Sequence, residues 1–559
     1  MDAQNQENLA VCSLCPALCR LSLMRTGPDQ WRVEYPAEAG AGLCPRGSML
    51  GELTASPRRL RWCGRAGSSA APSWEQALSA VAAGMAGGAV VLLDGNLPLE
   101  ELAAAAHVAR HWPAVKLALA VAPEDEQALL GVEASGAPYL ADEELARCDG
   151  FLVVGDAYAA NPRLARGVMD ALKERPRSPV VVIDSGGGTT AGFATLRLAV
   201  RPGGEAEALG GEAVAGALGA CQKLGVLISA EPGRGGIWRR VGYLAGKIAN
   251  EHKGGVAVAT VGANALAAVR MRHELGLLSL AQALSGVAGG TAFQAVQAQV
   301  GKPVPPDAQV GKPVPLVALG CDVLGLLGWT GPRLLAAASA LPNETTAAAE
   351  WVLPLALTGE IGGTYLQAGT RQVKAAAMIA PPAAVTTPAQ LLARLAMTAG
   401  INVPAFDGKL PSLNRLTPGE PPAVVAQPFQ AVQAQPVRAV PRSLTAGRQA
   451  LHSGAGSLTG LASWQRQLRP LPELRLNPAD ADELGLATGD AVELETPAGS
   501  AYAVVRLSAS LARGCLAIAE GYSAARRLLA YTVAGDELVS APAAVVSVSK
   551  ASALVGEGT

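Results

Sequence analysis

The sequence predicts a multidomain α/β protein with a small cysteine-rich β-module, two parallel-sheet α/β domains and a C-terminal β-barrel. Three observations predict this architecture. Four cysteines lie near the N-terminus, apolar strand-like segments alternate with helical ones through the middle of the chain, and short strands separated by glycine turns follow a proline-rich segment. With 559 residues, the chain is long enough for several domains.

Composition excludes some classes of protein. Half of the residues are apolar and the net charge is −1, which suits a large buried core and lacks the basic excess of a nucleic-acid-binding protein. No targeting segment and no uninterrupted apolar stretch of membrane-spanning length is visible. We therefore expect a cytoplasmic protein without a transmembrane segment, with peripheral docking on the cytoplasmic face of a membrane left open.

The N-terminal module, predicted over 1–62, carries Cys12, Cys15, Cys19 and Cys44 in the pattern C-x2-C-x3-C followed by a long gap and a fourth cysteine. Three thiolates from one tight loop and a fourth from outside it suit a [4Fe–4S] cluster. Zinc usually takes two short C-x2-C pairs, disulfides need an oxidising compartment, and plain buried thiols are the remaining alternative. Alternation in Leu21–Met24 predicts strands around the loop.

The other five cysteines are scattered singly, as expected of small buried side chains in a reducing compartment. They are Cys63, Cys148, Cys221, Cys321 and Cys515.

The α/β body is predicted over 63–402. Ser73 is a plausible N-cap for a helix through Met85, and Val90–Asp94 is a strand of the buried type. Glu100–Trp112 has a helical pattern, and Lys116–Val121 reads as the next strand. Strands alternating with helices imply right-handed crossovers and a parallel sheet.

Two further units carry candidate binding residues. The strand Phe151–Gly155 precedes a helix, Arg163–Lys173, and the strand Pro179–Asp184 precedes a glycine run. Ligands of parallel sheets bind beyond the carboxyl ends of the strands. Glycines there let backbone N–H groups approach phosphate, whereas turn formation and helix capping are the alternatives. The candidates are Gly155, Asp156, Asn161, Asp184 and Ser185, with Thr189 and Thr190 nearby.

A second α/β stretch contains the strands Val256–Val261 and Leu316–Gly320. Between them lies a low-complexity insert at about 293–315, whose tracts recur in part at 429–435. We interpret these tracts, and the proline-rich segment 403–441, as linkers or extended surface loops.

The last domain is predicted over 442–548. A short helix is expected over Asn477–Leu486, and strands separated by glycine turns suggest a small β-barrel. The predicted strands are Leu474–Leu476, Ala491–Thr496, Tyr502–Leu507 and Cys515–Ala519.

Several blocks together resemble the molybdopterin (bis-guanine-dinucleotide) oxidoreductase superfamily over nearly the whole chain. The likeness is greatest to the large G subunit of NADH-quinone oxidoreductase and to formate dehydrogenase-like large subunits. The blocks are the four cysteines followed by Pro45-Arg46-Gly47, then Ser56–Leu60, Ser73–Leu78, Phe151–Pro162, Thr345–Pro354, Glu360–Thr364 and Leu474–Gly489.

The resemblance implies an iron–sulfur β-module, a six-stranded type of barrel and a pterin dinucleotide contacted by the strand-end residues. It places Arg46 between cluster and pterin. However, Lys116–Pro123, which matches the family's metal-ligand region, holds no Cys, Ser or Asp. Cys148 is expected in the core, and His107 and His111 on a helix surface.

We therefore predict an electron-transfer subunit of a multi-subunit oxidoreductase that carries electrons through one [4Fe–4S] cluster. Bound molybdopterin guanine dinucleotide is doubtful. The resemblance implies other redox subunits as partners, including iron–sulfur and flavin or NADH-oxidising proteins. The alternatives are a catalytic molybdenum or tungsten enzyme, such as a formate dehydrogenase, and a non-redox scaffold of a complex resembling formylmethanofuran dehydrogenase and formyltransferase.

Overall fold

The computed structural model describes residues 10–28, 30–36, 44–287, 314–328, 334–421, 442–452, 456–534 and 537–551. Most of the duplicated low-complexity tracts lie outside these ranges. The described part of the proline-rich segment, 403–421, contains neither helix nor strand. No helix within the described ranges is both long and apolar enough to cross a membrane.

The N-terminal module is a three-stranded antiparallel sheet of Ala10–Val11, Arg20–Gly27 and Gln30–Glu34. Two short helices follow, Pro45–Ser48 and Leu50–Thr54. A Cβ atom on Gly51 would lie 2.4 Å from the carbonyl oxygen of Trp31, so glycine lets the second helix pack directly on the sheet. The predicted strands around the cysteine loop are confirmed.

A five-stranded parallel sheet forms one half of the body. Both of its faces are covered, which explains why its central strands are continuously apolar. In spatial order the strands are Gly255–Val258, Leu224–Ile228, Gly150–Val154, Val180–Asp184 and Leu196–Ala199. Its surrounding helices are Asp142–Leu145, Ala157–Ala160, Pro162–Glu174, Thr189–Phe193 (a 3₁₀ helix), Glu205–Leu209, Glu212–Leu218 and Trp238–Glu251.

The chain order reverses between the strands Gly150–Val154 and Leu224–Ile228, which lie side by side. Later strands are added outward on each side of this pair. Such a topological switch point leaves a crevice beyond the carboxyl ends of the two strands. Most of the predicted binding residues follow these strand ends or that of the neighbouring strand Val180–Asp184.

A seven-stranded sheet forms the other half of the body and is parallel except at the edge strand Gly64–Arg65. Its strands, in spatial order, are Leu278–Ser279, Val115–Ala120, Ala89–Asp94, Leu316–Leu319, Leu334–Ser339, Ala349–Pro354 and Gly64–Arg65. Its helices are Trp74–Met85, Leu99–His111, Pro123–Ser135, Ala265–Leu275, Leu280–Val287, Val323–Leu327, Glu344–Ala348, Thr358–Glu360 (3₁₀) and Pro388–Thr398. A hairpin of Gly363–Gln367 and Arg371–Ala375 completes this half.

The C-terminal domain is a curled mixed sheet. It has seven strands where the resemblance implied a six-stranded type, because the two-residue strand Ala543–Ala544 joins one edge. The strands are Ala543–Ala544, Ser443–Gly447, Cys515–Ala519, Glu473–Leu476, Gly499–Leu507, Ala491–Thr496 and Ser547–Lys550. Helices Thr459–Leu461 (3₁₀), Ser463–Leu468, Pro478–Leu484 and Ser523–Arg527 and the hairpin Tyr531–Ala534/Glu537–Ser540 accompany it. We call this domain the barrel.

The elements named from the sequence are present, with bounds shifted by a few residues. Ser73, for example, forms a complete capping box with Gln76 at the start of helix Trp74–Met85. The helix Pro123–Ser135 was not predicted. Nearly all of its residues are buried, so it lacks the amphipathic period that marks a surface helix.

Candidate functional site

The cysteine loop is a tight turn between the first two strands of the N-terminal module. The N–H of Cys12 donates to the carbonyl of Cys19 at 2.9 Å, which closes the loop. Leu18 has a positive φ of 48°, a conformation that tight turns impose. Cys44 directly precedes the helix Pro45–Ser48. The local backbone thus places Cys12, Cys15 and Cys19 in one loop, and Cys44 approaches them from the helix start outside it.

The four thiols are free and act on one another electrostatically. Burial raises the pKa of Cys12, and the neighbouring Cys15, Cys19 and Cys44 raise it further. Burial, followed by the effect of Cys15, raises the pKa of Cys19 to about 12. The thiols are therefore neighbours, although no three His, Cys, Asp or Glu side chains of the described ranges form a group that could hold a metal ion.

The surroundings test whether an iron–sulfur cluster suits this loop. The hydroxyl of Tyr35 is buried against the cysteines and has no hydrogen-bond partner among the described residues. A Cβ atom on Gly47 would lie 2.3 Å from that hydroxyl and 3.7 Å from Sγ of Cys12, so a larger residue there would displace the side chain of Tyr35. Four free thiols could serve as iron ligands, and the buried Tyr35 hydroxyl could donate a hydrogen bond to a sulfur, so the chemistry of these groups fits a cluster. The sulfur positions, however, are not those of a formed ligand set.

Arg46 connects the cysteine loop to the five-stranded sheet. It is buried, and its Nη2 donates to the carbonyl of Ala160, beyond the end of the strand Gly150–Val154. Burial raises the pKa of Cys15, and the charge of Arg46 opposes that rise. Arg163 is a second cation beside the loop, acting on Cys19 while paired with Asp142. Sequence reasoning identified Arg46 through its motif and missed Arg163, which stands in an ordinary helix.

Gly155 lies at the switch point, with a φ of 78°. A Cβ atom there would lie 2.4 Å from the carbonyl oxygen of Ser229, at the end of the adjacent strand. Asp156 comes next and is buried. Its carboxylate accepts hydrogen bonds from the N–H groups of Thr189 at 2.9 Å and Thr190 at 3.0 Å.

Asp184 and Ser185 lie beyond the neighbouring strand and are also engaged within the protein. The carboxylate of Asp184 accepts from the N–H groups of Gly186 at 2.8 Å and Gly188 at 2.7 Å. Ser185 donates to the carboxylate of Glu205. These contacts match the turn-forming alternative, and contact with a dinucleotide stays a prediction.

Asn161 caps the helix Pro162–Glu174, accepting from the N–H of Arg163 at 3.2 Å. It also lines a small cleft of about 50 Å³ beside the cysteine loop, together with Pro16, Ala17 and Gln367. The cleft thus brings one predicted binding residue and the cysteine loop to the same surface.

A network of buried ion pairs joins the barrel to the body. Arg448 of the barrel contacts Asp125 at 2.9 Å and Glu520 at 2.6 Å, and Arg526 contacts Glu520 at 3.0 Å. In the body, Arg234 pairs with Glu231 at 2.6 Å.

Burial dominates the electrostatics of the carboxyl groups in this network. It raises the pKa of Asp125 to about 7 and that of Glu231 to about 7, against the opposing effects of Arg448 and Arg234. Sequence reasoning missed the network. Its one local signal was the run of three acidic residues, 124–126, that follows Pro123 within an apolar context.

The residues that were not expected to bind a ligand, Cys148, His107 and His111, lie where the sequence predicted. Cys148 is fully buried in the core around the strand Gly150–Val154. His107 and His111 lie on the surface of helix Leu99–His111 and bond backbone carbonyls, those of Pro404 and His107 respectively. Lys116–Pro123 spans most of an inner strand and the first residue of the next helix.

Comparison with known proteins gives two findings. Residues 443–551 match the family model described as "Molydopterin dinucleotide binding domain". Among solved structures, 91 chains match. One is acetylene hydratase from Pelobacter acetylenicus, with a TM-score of 0.61 and 13% identity over 97% of this chain and 100% of that one. No curated protein matches in sequence. At this identity the structural likeness establishes a shared fold.

Proposed function

We propose that the chain is an iron–sulfur electron-transfer subunit of a multi-subunit oxidoreductase of the molybdopterin oxidoreductase superfamily. Two findings support this: residues 443–551 match the model of the dinucleotide-binding domain, and the fold is similar to that of acetylene hydratase. The observation that supports the proposal is the C-x2-C-x3-C loop with a fourth cysteine outside it, whose members Cys12, Cys15, Cys19 and Cys44 lie near one another. A [4Fe–4S] cluster held by these thiolates would supply one-electron redox chemistry.

The chain's own residues support this role through charge and burial. Burial raises the pKa of Cys15 and of Cys19, while Arg46 and Arg163 respectively oppose that rise, so both cations favour the thiolate form that a metal requires. The unpartnered hydroxyl of Tyr35 is a donor available to a sulfur, within the described part of the chain. The surrounding apolar side chains, including Leu21 and Met49, limit solvent access.

The proposed partners are other redox subunits, iron–sulfur and flavin or NADH-oxidising proteins, which would deliver and accept the electrons. Docking to a membrane complex and residence in the cytoplasm belong to the same proposal. The sequence observation behind a relay role is the lack of Cys, Ser and Asp in Lys116–Pro123, the segment that matches the family's metal-ligand region.

The experiment is analysis of iron and acid-labile sulfide in anaerobically purified protein, with electron paramagnetic resonance of the reduced form. We expect about four irons per chain, as in a [4Fe–4S] centre. Cys15→Ser should lose the iron and the resonance, whereas Cys148→Ser, a change of a buried core thiol, should keep both. Wild-type protein without iron would refute the proposal.

A second candidate, a catalytic molybdenum or tungsten enzyme, is favoured by the family-model match to residues 443–551. Metal analysis of the same sample distinguishes the two. Stoichiometric molybdenum or tungsten would support the catalytic candidate. A chain with iron and neither of these metals would support the relay.

A further inference from the structure

We infer that the crevice between the five-stranded sheet and the barrel is closed by the chain's own charged side chains, so that the domain matched as dinucleotide-binding holds no dinucleotide. The inference goes beyond the proposed function, because the proposed electron-transfer role does not depend on whether a pterin is bound. It rests on three features of the crevice: its N–H donors, its arginines and its net charge.

The N–H groups that could bind phosphate already have partners. A phosphate site at a strand end needs free backbone donors. Asp184 takes the N–H groups of Gly186 and Gly188, and Asp156 takes those of Thr189 and Thr190. Asp184 thus occupies the position of an anion within its own loop, and Asp156 does so from the end of the neighbouring strand.

Backbone N–H groups of the turn that follows the strand Leu224–Ile228 also have partners within the protein. Ser540, from the hairpin of the C-terminal domain, accepts the N–H of Gly233 through its hydroxyl and that of Gly235 through its carbonyl, both at 2.8 Å. A Cβ atom on Gly187 would lie 2.9 Å from Oγ of Ser508 and 3.0 Å from Leu511. The barrel therefore sits directly on both glycine-rich turns.

Arg234, beside Gly186, is held by the protein. Its Nε donates to Glu205 at 3.1 Å and its Nη2 to Glu231 at 2.6 Å, while Nη1 bonds the carbonyls of Pro232 and Ala446. These bonds use four of its five N–H groups, so no pair of N–H groups is left for the two-point contact with a phosphate.

In Arg448 and Arg526, both Nη atoms form hydrogen bonds as well. The Nε atom of each side chain is the one nitrogen that has no partner among the described residues. One buried N–H cannot form the two-point contact that guanidinium makes with phosphate. Arg475 is the remaining cation at the glycine turn, and its Nη1 contacts the carbonyl of Gly186 at 3.5 Å.

The charge of the crevice opposes an anionic ligand. Seven buried carboxyl groups and four buried guanidinium groups surround it, and five carboxylates remain even when Asp125 and Glu231, whose pKa burial raises to about 7, are counted as neutral. The pyrophosphate of a dinucleotide would add further negative charge to a desolvated site. The buried carboxyl groups are Glu124, Asp125, Asp156, Asp184, Glu205, Glu231 and Glu520, and the buried arginines are Arg234, Arg448, Arg475 and Arg526.

The test is pterin and nucleotide analysis of the full chain, purified from its own host and from a host that makes molybdopterin guanine dinucleotide. After denaturation and oxidation, fluorescent pterin and released GMP are quantified. A known dinucleotide enzyme purified from the same cells serves as the positive control. We expect the chain to release neither compound above background while the control releases both.

Stoichiometric pterin or GMP would overturn the inference. A second measurement, calorimetric titration with GDP, should give no binding heat, and saturable one-to-one binding would also overturn it. Iron analysis separates this result from the proposed function. A chain with neither iron nor pterin would refute the electron-transfer role and support the closed crevice. A chain with both would support the electron-transfer role and refute the closed crevice.

Discussion

At the scale of single residues, Arg46 and Asp184 illustrate two outcomes of motif reading. Arg46 lies two residues after the fourth cysteine, beside Cys15 and in contact with the body, while its place between cluster and pterin stays a prediction. Asp184 was a candidate to bind a dinucleotide, yet its carboxylate closes its own turn. A sequence motif can predict where a residue lies, but the hydrogen bonds that the residue forms in the folded protein determine its role.

His452 gives a pH-dependent prediction at this scale. Its Nδ1 bonds Oγ1 of Thr459 at 3.0 Å, and its Nε2 is buried without a partner in the described part of the chain. Burial, and then the charge of Arg469, lower its pKa to about 4. The unfolded chain therefore binds a proton on this imidazole more readily than the folded chain does. The free energy of unfolding should be at its full value above about pH 6.5 and should fall by up to about 3 kcal/mol as the pH drops toward 4.

Thermal unfolding between pH 7.5 and pH 5 checks this prediction. His452→Gln should flatten the pH dependence, whereas His111→Gln, a change on an exposed helix surface, should leave the slope unchanged. If His452→Gln kept the wild-type slope, the neutral buried imidazole would not be the cause.

At the scale of elements, the strand ends are held by close approach of neighbouring backbones. Gly155 combines a positive φ with a contact that leaves no room for Cβ beside Ser229. Gly155→Ala should therefore lower the free energy of unfolding by about 2 kcal/mol or more, since alanine is strained at positive φ and would force the two strands apart.

Denaturant unfolding measures this loss, with Gly192→Ala as the matched control. Gly192 lies in the nearby 3₁₀ helix, has nothing within 4 Å of its Cβ position and does not have a positive φ. The control should stay close to wild type. Equal effects of the two substitutions would contradict the close-packing explanation.

At the scale of the whole molecule, buried ion pairs hold the barrel on the body. Arg448 lies between Asp125 of the helix Pro123–Ser135 and Glu520 of the barrel, and all three side chains are buried. Arg448→Ala should cost about 3–5 kcal/mol, because it leaves buried carboxylates without their counter-charge. Hydrogen exchange should increase on both sides of the interface, in helix Pro123–Ser135 and in the barrel.

Arg506→Ala is the control, because Arg506 is an exposed arginine of the same domain paired with Glu473 at 3.2 Å. An exposed pair contributes about 0–1 kcal/mol, so this variant should unfold close to wild type. If Arg448→Ala behaved like Arg506→Ala, the network would not be what holds the two parts together.

Much of the fold could be predicted because its signals are local. The inner strands are continuous apolar runs, Ser73 marks a helix start, and three of the four cysteines lie within one turn. The helix Pro123–Ser135 was missed because burial on all sides removes the periodicity that identifies a helix. The ion network was missed because its partners are distant in sequence: Arg448 and Asp125 are 323 residues apart.

The sequence by itself determined the order of modules, the α/β class of the body and the identity of the four candidate ligand cysteines. Spacing and apolar pattern are sufficient for these features. Only the tertiary structure decided that Cys44 lies near the other three cysteines without completing a ligand set, that Asp184 closes its own turn, and that Asp156 binds the turn after the neighbouring strand. The reason is physical, since hydrogen bonding and desolvation depend on which distant groups meet, and no local pattern records that meeting.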